Sequence, residues 1–409
     1  MTDIIKKLEN IDWDFSDYNS SRYPYDLNSI PWYPATFVPQ IPKFLIASLT
    51  KPGDIVLDPF GGSGTTIVEA LKLNRSAIYN DLNPFACDII SALLAAVNQV
   101  LKNSNYLDIN SEKIRLDSYL LSDSEVDNFI VANGICNDVK DWYEEKTLRE
   151  LLSIVNLQVF DDNQDDEIKF IRKLAVSSIL KSASSQPGHF TYITDNCKPD
   201  KKSYKNAIQL YLDRFEQIQL AAQDFVIQFK LAHSGANLND LLNMFSMVNG
   251  DARNLVWIDD QSVDLVLTSP PYLCAQDYIK TMRLTNLFYP KKDAFTTTVK
   301  NEMGARCQRR GKAEVVVPNF YNDMFSVFKH IERVLKPDGF FCLVMGQGKG
   351  KITSGYDIIG DLCNYVEQEC HFEKVFHRQR NIGSRVIRIG GVDKEDIIIF
   401  RKKQENTGG

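Results

Sequence analysis

The chain has 409 residues, 44% of them hydrophobic and 11% aromatic, enough to bury one large core or a core with a sizeable satellite. Lys and Arg number 47 against 53 Asp and Glu, a net charge of −6, so a nucleic-acid face would have to come from local basic clusters rather than from the overall balance. No run reads as a membrane span, the first residues lack a secretory pattern, and the eight cysteines form no C-x-x-C pair, so a soluble, cytoplasmic protein with reduced thiols is expected.

In chain order, residues 1–29 are polar and aromatic, with Trp13, Phe15, Tyr18, Tyr23 and Tyr25, and read as an irregular arm packed on the core. Residues 54–58 read as a buried strand. It runs into Pro59, Phe60, Gly61, Gly62, Ser63 and Gly64, a glycine-rich turn, after which Thr65 opens a helix through Ile67, Val68, Ala70 and Leu71. Glycines permit a tight turn and close approach of a ligand to the backbone. A second strand, 76–80, ends in Asp81. That is roughly 20 residues past the turn, where a dinucleotide-type fold sets a carboxylate on ribose hydroxyls.

Residues 104–245 change character. Apolar residues recur at helical spacing, as in Leu148, Leu151, Leu152 and Val155, then Ile168, Ile171, Leu174, Ile179 and Leu180, then Ala207, Leu210, Tyr211 and Phe215. An insertion of this length needs its own packing. It reads either as a recognition element, with residues 186–192 and the lysines that follow facing the ligand, or as a scaffold or dimerisation element.

A further apolar strand, 263–267, ends in Thr268, Ser269, Pro270, Pro271 and Tyr272. Open α/β sheets bind ligands outside the carboxyl ends of their strands. Pro-Pro keeps the backbone extended there and leaves carbonyls free to accept. The Ser269 hydroxyl and Pro270 carbonyl are expected to accept from an amino group on a flat ring, with Tyr272 stacked on that ring. The plain alternative is a strand ending in an ordinary turn. Beyond it, Tyr278, Arg283 and Asn286 read as helical, and residues 291–312 as a polar, glycine-bearing loop placed to close over a bound base. Residues 374–378 and 396–400, with Gly383, Gly390 and Gly391 between them, read as an antiparallel hairpin at the sheet edge.

These elements predict an α/β fold: a doubly wound, Rossmann-like, mostly parallel sheet with a C-terminal antiparallel hairpin and a mostly helical insertion. The expected organisation is an arm over 1–29, a catalytic domain over 30–103 and 246–409, and the insertion over 104–245.

Asp58 to Thr65 resembles the cofactor motif, and Thr268 to Tyr272 the catalytic motif, of the DNA amino-methyltransferases that use S-adenosylmethionine to make N4-methylcytosine or N6-methyladenine. Residues 34–37 and 42–45 resemble the segment that precedes the cofactor loop, and 80–84 the ribose-binding turn. Gly250-Asp251-Ala252 resembles the strand end near the cofactor's adenine, and 335–339 followed by 340–345 the turn and fifth strand. The resemblance spans residues 30–98 and 248–402.

The resemblance implies a Rossmann-like methyltransferase sheet and S-adenosylmethionine as cofactor. Its cofactor residues would be Thr36, Phe37, Asp58, Pro59, Phe60, Gly61, Gly62, Ser63, Gly64, Thr65, Asp81, Asn83, Asp251 and Ala252, and its catalytic residues Ser269, Pro270, Pro271 and Tyr272. It implies site-specific methylation of a flipped base in double-stranded DNA by direct transfer, in restriction-modification or host DNA marking, by a monomer or homodimer with a cognate restriction endonuclease as a further partner. A serine before Pro-Pro favours cytosine N4 over adenine N6. Phosphate-contact candidates are Lys201, Lys202, Arg306, Arg309, Arg310, Arg378, Arg380 and Arg385, although such runs are also ordinary solvated faces. Attack at cytosine C5 needs a cysteine, usually after proline, and no Pro-Cys occurs; the five histidines form no metal-ligand array with the cysteines. An RNA or protein amide methyltransferase and an idle nucleic-acid-binding subunit are the other readings.

Overall fold

Seven strands form one mixed sheet: β1 (Ile55–Asp58), β2 (Ser76–Asp81), β3 (Phe245–Asn249), β4 (Val263–Thr268), β5 (Leu335–Met345), β6 (Phe372–Asn381) and β7 (Lys394–Lys402). Their spatial order is β3-β2-β1-β4-β5-β7-β6. In this computed structural model the described residues are all except 1, 19–21, 32, 35, 37, 103–107, 162–164, 187–197, 233–237, 349, 383–391 and 405–409. The ladder from β3 to β5 is parallel, and β7 runs antiparallel to both β5 and β6. The expected doubly wound sheet is therefore present, with β7 inside it and β6 at its edge.

From β1 the chain winds outward to β2 and β3 on one side, then returns to β4 and β5 on the other. Strand order thus reverses between β1 and β4, and a crevice opens at their carboxyl ends. Both strands are covered on both faces, which is why they read as continuous apolar runs. Successive side chains alternate between the two layers: Val56 joins the core on one face and Leu57 the core on the other, as do Leu265 and Val266.

One face carries the helices Gln40–Leu49, Thr65–Lys72 and Pro84–Leu101; the other carries Ala313–Val334 and Ile358–Glu369. The long connection from β2 to β3 is helical, as its spacing predicts. Its helices Glu145–Phe160, Asp166–Ala183 and Ala207–Ala232 bury Leu151, Ile171 and Phe215 in the same core that holds Ile67 and Leu93. Arg172 lies wholly inside this layer, pairing with Glu112 at 2.8 Å and Asp161 at 3.0 Å, so its charge is compensated where burial would otherwise be costly.

Several expectations need correction. The arm is not irregular throughout: Thr2–Glu9 is a helix that buries Leu8, and the Trp13 Nε1 donates to the Leu8 carbonyl at 3.0 Å. Residues 291–312 are not a plain loop, because Lys292–Asn301 is helical and Arg306–Arg310 forms a 3-10 turn. Tyr278, Arg283 and Asn286 fall on two short helices, Tyr278–Thr281 and Arg283–Phe288. The expected turn at 335–339 is a break within β5: Leu335 pairs with Val263, the register shifts, and Phe340 resumes opposite Leu265, with Asp338 at φ 65°. Finally, Pro84–Leu101 is long and apolar enough to cross a membrane, contrary to the reading that no run is. It is 78% buried inside the protein, and Asn83 caps it with Pro84 in its first turn, so it is a core helix.

Candidate active site

Backbone dihedrals shape the turn after β1. Gly62 (φ 50°) and Gly64 (φ 86°) adopt the left-handed region that glycine enters without steric cost. At Gly61 the constraint is space, since a Cβ there would sit 2.2 Å from the Tyr79 ring. The Tyr79 hydroxyl donates to the Gly62 carbonyl at 2.8 Å and ties the turn to β2. Asp81, at the end of β2, accepts from the Gly62 N–H at 2.8 Å and the Asn83 N–H at 2.7 Å. Burial pushes its carboxyl up to about 6 against the pull of those two donors.

The turn after β4 meets this one directly. The Thr268 hydroxyl donates to Asp58 Oδ1 at 2.6 Å, and the Phe60 N–H donates to the same oxygen at 3.1 Å. Burial also pushes Asp58 up to about 6, opposed by these hydrogen bonds. Next along the chain, Ser269 Oγ lies 3.3 Å from the Tyr272 hydroxyl, which donates to Glu395 Oε1 at 2.8 Å. Glu395 Oε2 accepts from Arg380 Nη1 at 3.0 Å. A phenol has one proton. With that proton on Glu395, Ser269 is the donor to Tyr272 and its lone pairs are left to accept from a ligand. Burial holds the Tyr272 phenol well above its ordinary value and Glu395 adds to this, so it stays protonated.

A single cleft runs between the two turns. Of the expected cofactor residues, Thr36, Pro59, Phe60, Gly61, Gly62, Ser63, Thr65, Asp81, Asn83, Asp251 and Ala252 line it, and so do Ser269, Pro271 and Tyr272 of the expected catalytic set. Asp58, Gly64 and Pro270 do not. Asp58 turns its carboxylate to Thr268, Gly64 ends at the start of the helix Thr65–Lys72, where a Cβ would meet Ile90 at 2.5 Å, and Pro270 is buried behind the turn. Phe37 lies outside the described residues. Asp251 lines the cleft with its charge already engaged, accepting from Arg253 at 2.9 Å and 2.6 Å.

The basic candidates divide. Arg380 is a correction: only 5% exposed, it pairs with Glu395 inside the cleft wall and donates to the Asp14 carbonyl at 3.3 Å, which removes it from any phosphate face. Lys201, Arg309, Arg310 and Arg378 are exposed, and Arg306 is half-buried. The Arg309 Nε donates to the Cys274 carbonyl at 2.7 Å, and Lys202 Nζ, also exposed, donates to the Lys140 carbonyl at 2.9 Å. Arg385 and most of residues 186–192 lie outside the described residues.

Sequence reasoning missed four lining residues that matter: Tyr33, Glu302, Arg380 in this role, and Glu395. Tyr33 directly precedes the 34–37 segment and accepts from Asn83 Nδ2 at 3.3 Å. Glu302 and Glu395 stand alone in sequence and enter through long-range packing, so no local signal marks them.

The cleft offers a ligand both apolar faces and hydrogen-bond acceptors. Aromatic and apolar faces from Tyr33, Phe60 and Met303 alternate with the acids Asp81, Asp251, Glu302 and Glu395, and Glu302 keeps a buried Oε2 with no partner. A family model described as DNA methylase matches residues 4–92. The chain is 23% identical over 348 residues to the type II methyltransferase M.MjaII of Methanocaldococcus jannaschii, covering 66% of this chain and 63% of that one. It is 29% identical over 140 residues to M.MjaI of the same organism, covering 33% and 43%, and 24% identical over 367 residues to M.MvaI of Kocuria varians, covering 80% and 78%. These likenesses are to a DNA methylase family model and to type II methyltransferases, each over part of the chain. The match spans less than two thirds of the length of both archaeal relatives.

Proposed function

We propose that the chain methylates the exocyclic amino nitrogen of a base in double-stranded DNA at a specific site, with cytosine N4 as the acceptor. The observation that carries this reading is the single cleft lined by both the glycine turn after β1 and the Ser269–Tyr272 turn after β4. Bound there, S-adenosylmethionine would supply an electrophilic methyl group. Phe60 to Ser63 with Asp81 and Asn83 would hold it, and Asp251 with Ala252 would flank its adenine.

The residues of the chain supply position. An exocyclic amine is a poor nucleophile because its lone pair is delocalised into the ring. Acceptors that fix both N–H bonds hold the nitrogen in line with the methyl group, and orientation of this kind provides most of the rate of a direct transfer. Ser269 Oγ has the lone pairs for one N–H, because its own proton goes to Tyr272. A backbone carbonyl of the Pro-Pro turn would take the other, and Tyr272 would pack on the ring. The base would reach the cleft by flipping out of the duplex. The exposed Lys201, Arg309, Arg310 and Arg378 would meet phosphates. The helices between β2 and β3 would carry sequence recognition, and a cytoplasmic partner endonuclease would complete a restriction-modification pair.

Cytosine is favoured over adenine by the neutral Ser269 before Pro-Pro. Digestion of DNA from expressing cells to nucleosides, followed by mass spectrometry, decides between them. N4-methylcytosine is expected; N6-methyladenine alone would move the acceptor to adenine, and neither mark would end the DNA reading.

A further inference from the structure

Four acidic side chains line the cleft, and three have both carboxylate oxygens engaged. Asp81 accepts from the Gly62 and Asn83 N–H groups, Asp251 from two nitrogens of Arg253, and Glu395 from Tyr272 and Arg380. Glu302 differs. Its Oε1 accepts from the Tyr278 N–H, while its Oε2 is buried with no hydrogen-bond partner, on a side chain only 7% exposed. A buried acceptor without a partner is uncommon in a folded protein and calls for an explanation.

The position of Glu302 supplies one. Arg253, which grips Asp251, also donates from Nη2 to the carbonyl of Asn301 at 3.2 Å and from Nη1 to Asp323 Oδ1 at 2.7 Å. Glu302 follows Asn301 directly, so its backbone is tied to the Arg253 that holds Asp251, and Tyr33, which accepts from Asn83 Nδ2 at 3.3 Å, lies close enough to sense its charge. Resting on the methyltransferase reading above, we infer that Glu302 is a cofactor-binding residue whose Oε2 accepts a hydrogen bond from the adenosine half of S-adenosylmethionine. The donor would be the adenine amino group or a ribose hydroxyl.

A proton is tied to this contact. Burial, with Asp277 adding to it, pushes the Glu302 carboxyl up to about 8, while the backbone N–H groups of Tyr278 and Ile279 and the Lys280 charge pull it down. Tyr33 and Cys307 are the other titratable groups that sense it. Near neutral pH Glu302 therefore carries a proton. A donor from the ligand favours the ionised form. On binding, the O–H proton leaves to solvent and an N–H or O–H of the ligand takes its place, with no covalent change elsewhere.

The test is calorimetric titration of the full chain with S-adenosylhomocysteine, which keeps adenosine but lacks the sulfonium charge, in buffers of different ionisation heat at about pH 7 and about pH 9. Binding to the unaltered protein should release on the order of one proton at the lower pH and none at the higher. Glu302→Gln keeps an acceptor for the Tyr278 N–H and so keeps a purely structural role, but it should bind roughly 10-fold more weakly and release no proton. Binding without proton release in the unaltered chain, or release that persists in Glu302→Gln, would overturn the assignment and leave the methyltransferase reading intact. Release with S-adenosylmethionine but not with S-adenosylhomocysteine would move the contact to the sulfonium and overturn the adenosine assignment. No binding of either compound would defeat both readings. Should Glu302→Gln fail to fold, as judged by circular dichroism, the buffer comparison on the unaltered chain decides alone.

Discussion

The Thr268 hydroxyl donates to Asp58 Oδ1 at 2.6 Å, joining two turns 210 positions apart in the chain. This bond, between the last residues of β1 and β4, sets the distance between the glycine turn and the Pro-Pro turn. Asp58 faces its neighbouring strand rather than the cleft, so its effect on a ligand is exerted through spacing. Replacing Thr268 by Val keeps the shape and removes the donor, leaving a buried carboxyl short of one partner. Thr268→Val should lose about 1–3 kcal/mol of stability in chemical denaturation. Cofactor affinity should fall with it, because the two turns are no longer tied; unchanged stability and affinity would show the bond to be incidental.

The same carboxyl should leave a trace in the pH dependence of folding. Asp58 titrates near 6 in the folded protein against an ordinary 3.8, as does Asp81, in both cases because burial disfavours the charge. Between those two values the folded chain holds protons that the unfolded chain has released. Stability therefore falls as pH rises through that window. The penalty is absent below the unfolded value and complete above the folded one. Asp58→Asn keeps an acceptor for Thr268 and Phe60 but cannot ionise, so its stability curve should fall less steeply across the window, with the Asp81 share remaining. Denaturation midpoints measured at several pH values would check this, and a slope identical to that of the unaltered protein would refute it.

Ser269 and Asp81 should separate transfer from binding. Ser269→Ala removes an acceptor that matters only when the amine is being aligned, so cofactor affinity should hold while turnover drops about 100-fold or more. Tyr272→Phe removes the proton held by Glu395 and frees the Ser269 rotor, and a smaller loss, about 10-fold, is expected. Asp81→Ala should weaken cofactor binding first, since it loses both the expected ribose contact and the clamp on the Gly62 N–H. A tritiated methyl-transfer assay beside calorimetry reads the two effects separately, and full turnover in Ser269→Ala would remove it from the mechanism.

Why Ser269 and Asp81 were legible while Glu395 was not is a matter of range. β1, β2 and β4 end at, or one residue before, residues that line the cleft, so strand ends and cleft lining are written in the same short segments. β3 is thinly covered, with Ser246 and Asn249 exposed, and has no comparable signature. The N-terminal helix had a signal, Ile4 and Leu8 one turn apart, that the aromatic residues after it obscured. The helix Lys292–Asn301 is mostly polar and lacks an apolar period. The hairpin is written in the sequence, but its register is not. The simple pairing of Lys374 with Phe400 extends to Arg380 opposite Lys394, a like-charge pair. A bulge between Lys374 and Phe376 shifts the ladder and sets Arg380 opposite Glu395. A single unpaired residue in the strand thus turns an expected phosphate contact into a buried ion pair behind Tyr272.

That shift makes Arg378 and Arg380, two positions apart on β6, behave oppositely. Arg378 is exposed, and as a phosphate contact its replacement by Ala should reduce the slope of log affinity for DNA against log salt by about 1, with folding unaffected. Arg380 is buried against Glu395, so Arg380→Ala strands a carboxylate and should cost about 3–5 kcal/mol of stability. The salt slope of whatever Arg380→Ala protein remains folded should match that of the unaltered chain. Pairing Arg380→Ala with Glu395→Gln removes the stranded charge and should recover part of the stability, while turnover stays low because Tyr272 loses its carboxylate partner. Filter binding across a salt series, run beside denaturation, checks both arginines, and a reduced slope in Arg380→Ala would return that residue to the DNA face.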